Sequence, residues 1–351
     1  MKTGIGRLLQ IDTRNRLMIL ALLVQACCTG IFAGILELAG NTMFLEVFEA
    51  DRIPQAIMIS GAAGILITTI YSYVSKQLDI KTFGIINLLA VLVLSFTLIL
   101  GERILSSDRF SFLLFVLMGP LVLITLLSFW ITVRGFLSPS YGKQLSGIID
   151  AALVGGMAFA FVVVPFIVGH GLRIGLTLYA GIASLTIAAL AQMYVLNGMD
   201  KDRIYSSRRV SSTGPIRLFS HRYTGLISTF VVLGISVLVV IHFLFLSSAS
   251  IQYDEAEGLV YFLGLFFAVM SLASWVMKRF MFGRIKKRFG VRVTLMMTPV
   301  VLILLSLAAL IIFDQFGLGS ESPLLPLFFL FVLFDLSQCG LVCSVFVSDT
   351  N

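Results

Sequence analysis

NGMDKDRIYSSRRVSSTGPIRLFSHR, residues Asn197–Arg222, is the longest interval of the chain without an apolar run. It carries Lys201, Arg203, Arg208, Arg209, Arg217 and Arg222 against only Asp200 and Asp202. Long hydrophobic segments flank it on both sides. A polar, basic stretch between apolar blocks reads as an aqueous joint between two membrane-embedded parts.

The bulk composition agrees with that reading. The 351 residues are 58% hydrophobic and 12% charged, with a mean hydropathy of +1.03. A soluble domain carries about 25% charged residues. A chain this apolar cannot cover its surface with polar groups, so lipid is the solvent for most of it. The net charge of +7 follows from the concentration of Lys and Arg in loops on one side, and no nucleic-acid partner is expected. The four cysteines, Cys27, Cys28, Cys339 and Cys343, all lie inside apolar segments without metal-ligand spacing. They read as small packing residues, and neither a metal nor a cofactor is expected. The basic N-terminus lacks a small-residue cleavage site, so no removable signal peptide is read.

A membrane-spanning helix needs about 20 mostly apolar residues. Ten segments qualify, near 17–39, 53–75, 83–100, 110–134, 145–168, 172–196, 223–247, 257–281, 291–313 and 323–347. With no water to satisfy backbone groups, these runs are expected to be helices. Loop charge sets the orientation. Met1–Arg16, the loops after the second, fourth and eighth segments, and the central joint hold 21 of the 25 basic residues. The opposite side holds Arg52, Arg103, Arg109 and Arg173. The N-terminus and the joint are therefore expected in the cytoplasm.

A repeat accompanies this layout. SYVSKQLDIK at 72–81 resembles GRIKKRFGVR at 283–292, pairing Lys76 with Lys287, Leu78 with Phe289, Ile80 with Val291 and Lys81 with Arg292. The common offset of 211 lays the first four segments over the seventh to tenth. Short basic loops look alike by themselves, but that does not explain one offset shared by four helices. Two parallel repeats joined by a cytoplasmic loop is the layout of major facilitator transporters. The expected domains are a six-helix bundle at 1–196, a basic linker at 197–222 and an incomplete bundle at 223–351. Under the same offset the second half lacks counterparts of the fifth and sixth segments. The sequence is thus expected to be part of a longer chain, six plus six helices, with a fused domain or protein partners beyond Asn351. A native stop codon after Asn351 would contradict this.

GRIKKRFGVR resembles the major facilitator loop motif at Gly283, Arg288, Gly290 and Arg292, with Lys287 where the motif has Asp. A more specific resemblance is to the ATP/ADP translocase-like proteins of bacteria and plastids. It rests on NTMFLEVFEADRIP at 41–54, FWITVRGFLSPSYGKQLSGIIDAALVGG at 129–156, HFLF at 242–245 and the stretch 261–299. The resemblance implies a major-facilitator-like bundle in a bacterial inner membrane, carrying a nucleotide or another organic anion. This chain departs from that pattern at Glu37, where a basic residue is expected, and at Gln144, which follows Lys143 in place of Arg. His242 and Leu246 also surround the Phe pair of the seventh segment, where that branch places an acidic residue and a lysine.

Ionisable groups at membrane depth are expensive and mark candidate sites. Glu37 either binds a cation or proton within the bundle or caps the interface with Asn41. Asp150 opens the fifth segment, two turns after Lys143, where a carboxylate suits a helix start. Arg134 closes the fourth segment as an anchor at the cytoplasmic face. His242 is either a proton-coupling group or a neutral, hydrogen-bonded histidine. Asp335, three residues before Gln338, must face the bundle, a partner or a cavity. Small residues, namely Gly30 with Gly34, Gly147 with Ala151 and Gly155, and Gly171 with Gly175, mark helix contacts. Pro120, Pro165 and Pro299 mark points of bending. No P-loop, HExxH or nucleophile elbow is present. The sequence thus points to an all-α polytopic membrane protein that works as a secondary transporter by alternating access. The rival reading is a non-transporting subunit that anchors or senses within a larger membrane complex.

Overall fold

The computed structural model describes residues 13–78, 80–136, 142–198, 222–253 and 256–277. These residues form eight α-helices: α1 Thr13–Val47, α2 Ile53–Gln77, α3 Ile80–Ile104, α4 Ser107–Phe136, α5 Gly142–Val168, α6 Ile174–Gly198, α7 Arg222–Gln252 and α8 Ala256–Met277. A single 3-10 turn, Ala50–Arg52, precedes α2. The segments expected near 291–313 and 323–347, and all but the ends of the basic joint, lie outside the described residues.

The helices run past the apolar segments that announce them. The first segment ends at 39 by hydropathy, whereas α1 continues to Val47. Asn41, Thr42 and Glu46 lower the local hydropathy without breaking the helix. Phe44 and Leu45 lie in the same turns and bury fully or nearly so. Phe44 packs against Phe115 of α4 with ring centroids 4.3 Å apart and the rings tilted by 31°, and this contact holds the last turns of α1 in register.

Six helices, between Arg16 and Gly198, are each long and apolar enough to cross a membrane. The chain is an all-α polytopic membrane protein. Residues 13–198 and 256–271 belong to one compact unit, and 222–253 with 272–277 belong to a second.

Within the first unit, α1 is the central helix, packed on α5, α6 and α4. Glycine permits the closest of these contacts. A Cβ on Gly30 would overlap the carbonyl of Leu153, and one on Gly156 would overlap the carbonyl of Cys27. The backbones of α1 and α5 therefore touch, as small-residue faces allow in membranes. Gly34 joins this face against Met157 and Ala160. The expected stripe on α5 is displaced by one residue. Gly147 and Gly155 have no atom within 4 Å of a built Cβ, and Gly156 makes the contact. One residue is about 100° around a helix, so the face that meets α1 differs from the face read from the spacing. Gly171, expected at a helix contact with Gly175, lies outside α6. It occupies the α5–α6 turn with φ 85°, a conformation that favours glycine.

Candidate functional site

Glu37 is half-buried in α1, well inside the span Arg16–Val47. Its position on the helix follows from its neighbours. Gly30 and Gly34 face α5, while Gly40 meets Met118 of α4 and Phe44 meets Phe115. At about 100° per residue, Glu37 falls between these directions, at the seam of α4 and α5. Asn41, one turn later, is fully buried. Its Nδ2 donates to the backbone carbonyl of Glu37 at 2.8 Å, and its Oδ1 has no partner among the described residues. This bond joins the Asn41 side chain to the main chain of Glu37.

Asp150 is half-buried, and its setting differs from expectation. The helix begins at Gly142, so Asp150 is the ninth residue of α5. The N-terminal field fades within the first turn and does not explain it. Arg134 lies in the last turn of α4 and Lys143 is the second residue of α5. His242 is half-buried in α7, in the second unit. Asp335, Gln338 and the loop residues Gly283, Lys287, Arg288, Gly290 and Arg292 lie outside the described residues. No group of three or more His, Cys, Asp or Glu among the described residues could hold a metal ion.

The structure also joins residues that the sequence left unremarked. Gln192 of α6 is the hub of a buried polar node. Gln25 Nε2 donates to Gln192 Oε1 at 3.0 Å. Gln192 Nε2 in turn donates to the carbonyl of Gly84 in α3 and to Ser128 Oγ in α4, each at 3.3 Å. Thr132 Oγ1 donates to the carbonyl of Ser128 at 3.1 Å. One amide thereby ties α1, α3, α4 and α6 together. Gln25, Ser128, Thr132 and Gln192 are all at most 1% exposed. The node collects residues early in α1 and α3 and late in α4 and α6, as helices that alternate in direction require. Within the node, Gln25 Oε1 has no partner among the described residues.

A small cavity between α1, α3, α4 and α6 is lined by Phe32, Leu36, Leu114 and Leu178, with Ser95 as its one polar wall. It has room for about one water, which would need more polar partners than Ser95 offers. It is a packing gap rather than a solute site.

Compared by sequence, the chain matches no protein family and no curated protein. Compared by structure, it is similar to a protein titled "Crystal structure of nucleoside transporter NupG". The TM-score is 0.61 at 17% identity, over 96% of this chain and 83% of that one. The fold is major-facilitator-like. At this identity the likeness speaks for the fold.

Proposed function

We propose that the protein is a secondary-active transporter working by alternating access. Two sequence repeats, residues 1–196 and 223–351, joined by a cytoplasmic linker at 197–222, belong to this proposal. The observation that carries this reading is the structural likeness to a nucleoside transporter over 96% of the chain. Glu37 supports it, as a half-buried acid deep in a span whose retention calls for a purpose. A bacterial inner membrane and a cytoplasmic N-terminus belong to the same proposal.

Within the nucleobase-bearing solutes, the described helices favour a nucleoside over the nucleotide suggested by the translocase resemblance. The six spans contain no lysine, and their only arginines, Arg16 and Arg109, fall within the first three residues of a span. A phosphate at midplane would find no deep cation there, whereas a neutral nucleoside needs none.

Uptake of radiolabelled uridine, adenosine and ATP into proteoliposomes tests the proposal. Nucleoside uptake that Glu37→Gln reduces at least tenfold is the expected outcome. ATP uptake without nucleoside uptake would reverse the choice of solute. Absence of all uptake, with correctly folded protein, would favour the anchoring or sensing subunit.

A further inference from the structure

Pro165 lies inside α5 and brings no N–H to the carbonyl of Phe161, four residues earlier. Within an apolar bundle an open backbone acceptor is costly. Gly264 of α8 stands on that oxygen. A Cβ built on Gly264 would lie 2.6 Å from Phe161 O and would also overlap the Pro165 ring. A hydrogen fits at this position of Gly264 and a side chain does not, so the α8 backbone closes directly on the Phe161 carbonyl and the Pro165 ring, close enough for a Cα–H···O contact. Two neighbouring contacts fix the register. Phe267 meets Phe161 with centroids 5.4 Å apart, and the Tyr261 hydroxyl lies 2.5 Å from a Cβ built on Gly169. The pairs 161 with 267, 165 with 264 and 169 with 261 run antiparallel inside one compact unit.

We propose that Gly264 sets the bend of α5. Through its Cα–H, α8 supplies the donor that Pro165 withholds. A helix missing one rung bends easily at that point. The neighbour engaged with the open carbonyl then fixes how far it bends. The conformation of α5 is coupled in this way to the position of α8, whatever solute the protein carries.

The test uses the full chain in lipid nanodiscs, with its four cysteines replaced and spin labels at Ile148 and Leu172, both exposed positions. Gly264→Ala is expected to shift the label-to-label distance, because its methyl displaces α8 from Phe161 O. In a Pro165→Val background the N–H is restored while side-chain bulk is kept. There, Gly264→Ala should leave the distance unmoved. Thermal melting confirms that each variant folds. If Gly264→Ala folds only in the Pro165→Val background, the coupling stands by that route. An unmoved distance in Gly264→Ala, or an equal shift in both backgrounds, overturns the proposal. So does decoupling by Pro165→Ala but not by Pro165→Val, which would assign the effect to the ring's bulk.

Discussion

The two glutamines of the buried node are chemically alike but unequal in what they hold. Gln192 serves three helices besides its own through both ends of its amide. Among the described residues, Gln25 makes one bond and leaves Oε1 unpartnered. Methionine is close to glutamine in shape and removes the polar atoms. Gln192→Met should cost about 1–2 kcal/mol, the upper range for interhelical hydrogen bonds in a bilayer. Gln25→Met exchanges one orphan acceptor for another, on Gln192, and should stay within about 0.5 kcal/mol of the parent protein. Unfolding in mixed detergent micelles measures both, and equal losses would refute the hub. A second residue-scale case is Glu102 at the end of α3. Its Oε1 lies 2.5 Å from a Cβ built on Gly175, the second residue of α6. A carboxylate at a helix start is favoured by the exposed N–H groups there. Glu102→Gln should therefore lower stability modestly, by about 0.3–1 kcal/mol at low ionic strength, and less in high salt. None of these roles was legible in the sequence. A lone glutamine in an apolar run carries no spacing signal, and its partners stand 64 to 167 residues away. The available clue was simply that Gln25 and Gln192 are polar amides inside spans, where such groups hold helices together.

Among the elements, α1 and α5 show how narrow the margin of a glycine contact is. Gly155 and Gly156 are adjacent and identical in sequence terms. Gly156 meets the Cys27 carbonyl, and Gly155 meets nothing within 4 Å. Gly156→Ala should cost about 1–3 kcal/mol through overpacking. Gly155→Ala should be neutral or stabilising by up to about 1 kcal/mol, because alanine is the better helix former. Parallel unfolding curves for the pair provide the check, and matching losses would mean that the two backbones do not touch. The element scale also shows what sequence could deliver. The spans were readable because about 20 apolar residues are a physical requirement of the bilayer. The ends were less so. The last turns of α1 hold Asn41, Thr42 and Glu46, and they stay helical because Phe44 packs on Phe115, a contact no window average contains. The Gly30–Gly34 pair was recognised with its face. On α5 the regular four-residue spacing of Gly147, Ala151 and Gly155 pointed one residue away from the true contact.

For the whole molecule, the all-α membrane fold was legible from one coarse signal, the length of the apolar runs. The solute was not, because it depends on which side chains converge across a cavity. Sidedness is directly testable. Single cysteines at Ser106 and Ser212, in a background lacking the native four, should be labelled by an impermeant maleimide from opposite sides. Ser212 should react only from the cytoplasm, and labelling of both from one side would invert or abolish the proposed topology. One property of the first bundle bears on how the protein is handled. On the face shared by the α1–α2, α3–α4 and α5–α6 connections, the links comprise residues 48–52, 105–106 and 169–173, none longer than five residues. A protease or an antibody approaching from that side finds almost no free peptide to grasp. Purification tags and binding reagents therefore belong on the opposite side, and a digest applied to this face should return the six-helix region as a single intact fragment.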